Sequence, residues 1–179
     1  MKKILRYSLF LSVFMFGSAY AELYYELGFE AGGDELASTT AGESISAGGG
    51  FKFAIGIQNR INETASYRLV AGYLFDDLDA VDGSAESSAL TFDALYMRHI
   101  GAHSFGIGGT MHLSPEYSEN SVFGRLDLEF DNAVGLLLQY GYHFSPSLEV
   151  GVRLSDLTYK VNNVELDAGS FGLYLSNGF

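Results

Sequence analysis

Residues 51–57 read Phe-Lys-Phe-Ala-Ile-Gly-Ile, a stretch in which large apolar side chains alternate with small or polar ones. A period of two is the signature of a β-strand, because successive side chains of a strand point to opposite sides. One side of this segment is wholly apolar, whereas the other carries a lysine, an alanine and a glycine. The segment therefore predicts a strand with an apolar environment on one side and a confined, partly polar one on the other.

Eight segments of the chain show this alternation. They are residues 23–31, 45–58, 65–75, 90–97, 104–113, 134–144, 148–154 and 171–179. The breaks between them are of two kinds, short ones and longer ones rich in Asp, Glu, Ser and Gly. The short breaks lie at 59–63, 100–102 and 145–147, and the longer ones at 32–43, 76–88, 114–124 and 161–167. Because the two kinds alternate, we expect each strand to run antiparallel to the one before, and both termini to lie on the same side.

Residues 122–131 (VFGRLDLEFD) alternate as well. With Asp131-Asn132 as a turn they could form a ninth strand, but an odd number of strands would place the C-terminus on the opposite side. Leu126 and Phe130 share the even parity of the segment 134–144. We therefore expect residues 125–144 to form one long strand that projects beyond the membrane.

Strands of this kind fit either a soluble sandwich or a membrane barrel. The outer face of a sandwich meets water and is rich in charges, but here 12 of the 22 glycines lie on the polar face. Glycines leave room for long neighbouring side chains, which indicates a narrow, crowded lumen. In lipid a sheet must also close, because an open edge would leave N–H and C=O groups unpaired. We predict an all-β fold, an eight-stranded antiparallel up-and-down transmembrane β-barrel.

The N-terminus has the pattern of a cleaved export signal. Three basic residues among the first six precede the apolar run 7–16, and Ala19 and Ala21 occupy the positions that signal peptidase reads. Ten apolar residues in a helix cover about 15 Å, half of a bilayer core, which is too short for a membrane anchor. We predict a signal peptide over residues 1–21 and a barrel domain over residues 22–179.

The composition excludes several classes of protein. The chain has 10 basic and 22 acidic residues and a net charge of −12, so nucleic acid is not expected as a partner. It has no cysteine, which excludes a disulfide scaffold, a zinc–thiolate site and a lipid-modified N-terminal cysteine.

Aromatic residues on the apolar parity cluster near the short breaks. They are Tyr25, Tyr67, Tyr96, Phe105, Tyr142, Phe144 and Phe179. Amphipathic rings favour the headgroup level of a membrane, so this clustering predicts an aromatic belt at one interface.

With its export signal, eight strands, short turns and closing FGLYLSNGF, the chain resembles the small outer-membrane β-barrel proteins of Gram-negative bacteria, OmpX- or OmpW-like. The resemblance covers the whole mature chain. It implies an outer-membrane location, a monomer, and outer-membrane lipids, lipopolysaccharide and the barrel insertion machinery as partners. The alternating C-terminal residues resemble the family's assembly signal: Phe171, Leu173, Leu175 and Phe179 match it, whereas Asn177 stands where an aromatic or aliphatic residue is usual.

Seven charged residues fall on the lumen parity. They are the acids Glu26, Glu30, Asp93 and Glu149 and the bases Lys52, Arg68 and Arg153. A charge in a narrow lumen must be paired or hydrated. The seven therefore predict either a salt-bridge network that plugs the barrel or the selectivity lining of a pore. Because the lumen of eight strands is just wide enough for side chains to fill it, we favour the plug.

The pair His112 and Ser114 offers a candidate for nucleophilic catalysis. The spacing resembles that of outer-membrane lipid A deacylases, with Glu116, Asp127 or Glu129 as orienting acids. Two observations argue against catalysis. By parity, both side chains face inward, away from lipid acyl chains. Pro115 opens a loop, in which a fixed catalytic geometry is hard to maintain. The remaining histidines and the acidic loop 76–83 match no metal-binding pattern. We therefore predict no catalytic residues, no cofactor and no metal.

The leading functional hypothesis is a non-enzymatic outer-membrane barrel with a structural or surface-interaction role and a plugged lumen. The alternative is a narrow passive channel for small or hydrophobic solutes, as an OmpW-like protein would be. A third, less favoured hypothesis is a lipid A-modifying enzyme.

Overall fold

The structure is a computed structural model that describes residues 21–38, 43–80, 83–122 and 124–178. Thirteen strands and no helix are formed within these ranges. They are β1 (Ala21–Ala31), β2 (Glu35–Ser38), β3 (Ser44–Ser46), β4 (Gly50–Asn62), β5 (Ala65–Ala80), β6 (Gly83–Ile100), β7 (His103–Ser121), β8 (Gly124–Glu129), β9 (Ala133–His143), β10 (Leu148–Asp156), β11 (Thr158–Val161), β12 (Val164–Asp167) and β13 (Ser170–Gly178). No helix capable of spanning a membrane occurs among the described residues. Apart from Ala21, the expected signal peptide lies outside them.

Eight strands form a closed antiparallel barrel, as the sequence predicts. Around the barrel the order is β1, β4, β5, β6, β7, β9, β10 and β13, and β13 pairs back with β1. Every barrel strand therefore pairs with its predecessor and its successor along the chain. Tight connections at 63–64, 101–102 and 144–147 define the short-turn end of the barrel. The opposite end, where the long connections lie, is called the hairpin end below.

The alternation of the sequence places side chains as expected on the two faces of the wall. On β4, Phe51, Phe53 and Ile55 are each more than half exposed on the outside, whereas Lys52 and Ala54 are buried inside. The outer wall is therefore apolar and the lumen holds the polar and small residues. This is the arrangement expected of a barrel surrounded by lipid.

Aromatic residues mark both ends of the outer wall. Of the expected group near the short turns, Tyr67, Tyr96, Phe105, Tyr142 and Phe144 are exposed on the outer wall, and the rings of Phe105 and Tyr140 lie 5.3 Å apart. A second group lies towards the hairpin end, where Phe51 contacts Phe29 at 5.2 Å and Phe75 at 6.3 Å between ring centroids. The expectation of a belt at one interface was therefore incomplete, since barrels that span a membrane carry aromatic girdles at both interfaces.

Two of the connections expected to be long loops consist largely of strand. β5 continues to Ala80 and β6 begins at Gly83, so most of 76–88 is a tight hairpin. β7 likewise continues through Pro115 to Ser121, where the sequence suggested a loop. The polar composition of these segments was misleading, because strands that project beyond the apolar wall are surrounded by water and carry polar side chains.

The segment 125–144 is not one continuous strand. β8 ends at Glu129, residues 130–132 are irregular, and β9 begins at Ala133, although both strands pair with β7. At the break, the Phe130 N–H donates to the carbonyl of Pro115 at 2.9 Å, and the Phe130 side chain turns inward and is buried. Burial of that ring in an apolar cluster overrides the alternation that predicted an outward position.

The hairpin end holds an apolar cluster of nine buried residues, which we call the apolar cap. They are Ile45, Ala47, Ala85, Tyr117, Phe130, Ala133, Leu157, Tyr159 and Ala168. The hairpins β2–β3 and β11–β12 supply Ile45 and Tyr159, and the residues that directly flank them supply Ala47, Leu157 and Ala168. Full burial of a side chain such as Ile45 or Phe130 contributes about 1.5–3 kcal/mol.

Glycines make the inward bend of the β2–β3 hairpin possible. Gly33 and Gly48 have φ angles of +84° and +73°. These values lie in the left-handed region, which residues with a Cβ rarely adopt. A Cβ at Gly33 would lie 2.0 Å from the carbonyl oxygen of Ala47, and one at Gly48 would lie 2.2 Å from that of Ala168. The cap therefore requires glycine at both positions.

Candidate functional site

A central cluster of charged side chains lies inside the barrel around Asp93. One oxygen, Asp93 Oδ2, lies 2.7 Å from Lys52 Nζ and 2.7 Å from Arg153 Nη2. The other oxygen, Asp93 Oδ1, accepts a hydrogen bond of 2.6 Å from the hydroxyl of Thr110. Two cations and one hydroxyl thus converge on a single carboxylate.

Arg153 extends the central cluster to two further carboxylates. Its Nη1 donates to Glu26 Oε1 at 2.7 Å, and its Nε lies 3.3 Å from Glu30 Oε1. The second oxygen of Glu30 accepts the Ser170 hydroxyl at 2.6 Å, and Ser170 in turn contacts Ser155 at 2.8 Å. Five charged residues on β1, β4, β6 and β10 are therefore tied together across the lumen.

A second cluster lies closer to the short turns, around Glu149. Arg68 Nη1 and Nη2 donate to its two oxygens at 3.1 and 3.0 Å, and Arg68 Nε donates to Gln58 at 2.8 Å. His143 Nε2 lies 2.9 Å from Glu149 Oε2, and the Tyr174 hydroxyl donates to Glu149 Oε1. This short-turn cluster holds the remaining two of the seven lumen charges that the sequence singled out.

All seven of these side chains are almost fully buried, and none is more than 4% exposed. In this environment a charge without a partner is very unfavourable, whereas a charge with several hydrogen-bonded partners is tolerated. Tyr24 adds a further contact, since its ring lies 5.1 Å from the Arg68 guanidinium carbon. Each of the seven charged side chains therefore has at least one partner of opposite charge, with three acids and two bases in the central cluster and one acid and one arginine in the short-turn cluster.

Some buried polar atoms of the lumen nevertheless have no hydrogen-bond partner in the protein. Within the described residues they are Tyr24 Oη, Thr91 Oγ1, Ser104 Oγ, Gln139 Nε2 and Arg153 Nε. Buried groups of this kind usually bind water. The lumen thus has polar positions that the protein alone does not satisfy.

The two ends of the barrel differ in accessibility. At the short-turn end a cavity of about 520 Å³ opens to solvent and is lined by residues that include Arg60, His99 and His143. At the hairpin end the nine residues of the apolar cap are buried. A groove of about 540 Å³ there lies outside the cap, between the projecting strands β5 to β8.

His112 and Ser114 lie in different environments, one buried and one exposed. His112 is buried, and its Nδ1 lies 2.6 Å from the hydroxyl of Tyr159 in the cap. Ser114 has a left-handed φ of 46° and is exposed, so the expectation that it faces inward was wrong. Its N–H donates to Asn132 Oδ1, and this contact belongs to the break between β8 and β9 that parity could not anticipate.

Three of the four residues of the expected assembly signal lie on β13. Phe171, Leu173 and Leu175 point outward on the apolar wall and are partly exposed. Asn177 lies opposite Tyr25 of β1 and Leu148 of β10. Phe179 lies outside the described residues.

Sequence reasoning missed several partners of the lumen charges. Thr110, Tyr174 and Gln58 share the lumen parity, but parity alone does not select them from other polar residues. His143 is one of the histidines that match no metal-binding pattern in the sequence, and it contacts Glu149. The signal that could have found it is the short turn at 144–147, which brings the adjacent ends of β9 and β10 together.

Comparisons with known proteins identify the fold. No protein-family model matches the sequence, and no curated protein sequence matches it significantly. Ail of Yersinia pestis, in complex with the heparin analogue sucrose octasulfate, aligns with a TM-score of 0.56 and 12% identity over 89% of this chain and 97% of Ail. Neisserial surface protein A (NspA) aligns with a TM-score of 0.57 and 17% identity over 91% of this chain and 99% of NspA. The chain therefore has the fold of the small eight-stranded outer-membrane β-barrels.

Proposed function

We propose that this protein is a non-enzymatic barrel of the outer membrane with a closed lumen, acting as a structural or interacting component of the cell surface. The observation that carries the proposal is the complete burial of Arg153 among Glu26, Glu30 and Asp93. The apolar cap adds a second obstruction at the hairpin end. We place the hairpin end outside the cell and the short-turn end in the periplasm, because barrels of this class have short periplasmic turns.

Single-channel conductance of the refolded protein tests the closed lumen. The wild type should give no conductance steps in a planar bilayer. Arg153→Ala is the matched variant, and where it refolds to the same heat-modifiable band it should conduct more than the wild type. Steady conductance steps from the wild type would contradict the plug.

A narrow passive channel is the second candidate. It is favoured by the five buried polar atoms that have no hydrogen-bond partner among the described residues, because water at these positions would hydrate the lumen. Swelling of liposomes in small neutral solutes separates the two candidates. Solute-dependent swelling with the wild type would support the channel and contradict the plug.

We propose no enzymatic activity on lipid A. The hydrogen bond between His112 and Tyr159, together with the exposed position of Ser114, gives no nucleophile with an adjacent base. Mass analysis of lipid A from cells with and without the protein should show identical acylation. Loss of an acyl chain that depends on His112 would contradict this part of the proposal.

The proposed outer face is acidic. In the described part of the hairpin end, the basic side chains are Arg125 and Lys160, and each is already paired, with Asp127 at 2.8 Å and Glu165 at 2.5 Å. Carboxylates repel polyanions. We therefore do not propose that this chain binds a heparin analogue, as Ail does. The refolded protein should pass through a heparin column at physiological salt, and retention would contradict this assignment.

We further propose that the barrel is a monomer inserted by the barrel insertion machinery. Phe171, Leu173, Leu175 and Phe179 would be the residues that this machinery reads. Outer-membrane lipids and lipopolysaccharide would then be the immediate surroundings of the apolar wall. Mass measurement of the detergent-solubilised protein tests the oligomeric state.

A further inference from the structure

Arg98 differs from every other basic residue that the structure describes. Six lysines and arginines have a carboxylate within 4.0 Å: Lys52, Arg60, Arg68, Arg125, Arg153 and Lys160. Arg98 has none among the described residues, although the protein has more than twice as many acidic as basic residues. A guanidinium carries five N–H donors and a permanent charge, so the exposed Arg98 side chain is free of described carboxylates and can bind an external anion.

The position of Arg98 indicates where that partner lies. On β6, Arg98 shares the outward side with Leu90 and Tyr96, and it is exposed. It stands opposite Phe105 of β7, close to the turn at 101–102. Arg98 therefore lies on the outer wall at the short-turn edge of the apolar band, where a membrane has its headgroups.

The side chains around Arg98 provide further polar groups at the same level. Tyr96, two residues earlier on β6, is about half exposed. His103 lies diagonally across on β7, a separation of about 7–8 Å between Cα atoms for such neighbours. Its Nδ1 is occupied by the Tyr140 hydroxyl at 2.9 Å, so Nε2 is the ring nitrogen left to face an external group. These residues form a basic, hydroxyl-bearing patch within the aromatic belt.

We propose that Arg98, with Tyr96 and His103, binds the phosphate of an anionic phospholipid in the periplasmic leaflet. A guanidinium matches a phosphate with two parallel N–H···O bonds, and tyrosine rings prefer the headgroup region. The apolar wall continues directly from the patch through Ile107, which is 60% exposed and would contact the acyl chains of the same lipid. One surface thus offers a site for a lipid phosphate and, next to it, a site for the acyl chains of that lipid. This favours a lipid over free phosphate or a protein as the ligand.

The inference rests on the proposed membrane location. The test distinguishes failure of the lipid site from failure of the membrane location. The protein is reconstituted into phosphatidylcholine vesicles containing spin-labelled phosphatidylglycerol or spin-labelled phosphatidylcholine, and the motionally restricted fraction of each label is measured. The wild type should prefer phosphatidylglycerol at low salt. Arg98→Gln should reduce that preference by about fivefold, the factor that corresponds to about 1 kcal/mol per arginine near an anionic surface.

Arg60→Gln is the matched control. Arg60 lies at the same end of the barrel, but it is paired with Glu22 at 3.3 Å and lines the cavity at the barrel mouth. This variant should retain the wild-type preference. An equal loss in Arg60→Gln would show a general effect of net charge and overturn the site.

Two further outcomes would also overturn the inference. Arg98→Gln could incorporate normally and retain the full preference for phosphatidylglycerol, or inorganic phosphate could remove the preference at an ionic strength where chloride does not. The first would leave Arg98 without a role, and the second would indicate a site for free phosphate. Failure of the wild type to enter vesicles at all would instead contradict the proposed function.

Discussion

Arg68 and Glu149 face each other across the lumen through two N–H···O bonds, at 3.1 and 3.0 Å. They come from β5 and β10, strands that are not neighbours in the barrel, so the pair ties opposite parts of the wall together. Both side chains are nearly inaccessible to solvent. The stability of the barrel should therefore depend on this pair in a manner that a surface ion pair would not show.

We predict that Arg68→Ala lowers the stability of the refolded barrel by about 3 kcal/mol, because it leaves Glu149 buried with its main cationic partner removed. In gel electrophoresis, the heat-modifiable band of the folded barrel should convert to the band of the unfolded chain at a lower temperature than in the wild type. The double variant Arg68→Ala/Glu149→Ala should regain part of the loss, because it removes the uncompensated charge. An unchanged transition in Arg68→Ala would show a lumen hydrated well enough to act as a channel.

The apolar cap gives a second prediction about stability. Ile45 is fully buried in the cap, so Ile45→Ala should destabilise the β2–β3 hairpin by about 2–5 kcal/mol through loss of packing. Hydrogen exchange of the amides in 44–49 should become faster. Val164→Ala, at an exposed position of β12 in the other hairpin, should leave that exchange unchanged. Equal acceleration in both variants would show that Ile45 does not hold the hairpin in place.

The eight barrel strands could be predicted because lipid and lumen impose a strict period of two on each of them. The seven lumen charges followed from the same parity. Their pairing did not, since contacts such as Arg68–Glu149 join strands far apart around the barrel and depend on the register of every strand between them. Parity assigns a side chain to a face, but it does not give its height along the barrel axis.

The hairpin end was predicted least well, for a different physical reason. There the wall leaves the membrane, so exposed and buried positions no longer correspond to lipid and lumen. Phe130 was expected on the outside, but it packs into the apolar cap with Tyr159 at 5.4 Å between ring centroids. The cap is assembled from hairpins distant in sequence, joined by the hydrogen bonds that Asp34 and Asp167 exchange at 2.7 Å. No local pattern reports such contacts.

The orientation of the barrel can be tested by labelling intact cells. Cysteine substitutions at Asp34, Asp79 or Asn163 should react with an impermeant thiol reagent, because these exposed positions lie at the hairpin end. Glu119, which is partly exposed on the projecting part of β7, should react as well. Cysteines at Asn62 and Pro146, near short turns, should react only after the outer membrane is permeabilised. Labelling of Asn62 or Pro146 alone on intact cells would invert the proposed topology.

The last prediction concerns the C-terminal residue Phe179, which follows the closing strand β13. Loss of one apolar side chain removes about 2 kcal/mol of burial, which is too little by itself to unfold a closed barrel. If Phe179 serves mainly as part of an assembly signal, its deletion should sharply lower the amount of protein in the outer membrane, while the purified chain still refolds in detergent. Asn177→Tyr should restore the usual pattern of the signal and raise insertion, or at least leave it unchanged.

Phe144→Ala is the matched control for this deletion. Phe144 is an exposed aromatic residue near the short-turn end but lies outside the closing strand, so its loss should affect refolding and insertion equally little. Membrane fractions of cells expressing each variant give the inserted amount, and the heat-modifiable band of the purified chains gives the refolded fraction. The opposite result, normal insertion of the Phe179 deletion together with failed refolding in detergent, would show that the residue is structural. Phe179 would then be needed for packing and not for recognition by the insertion machinery.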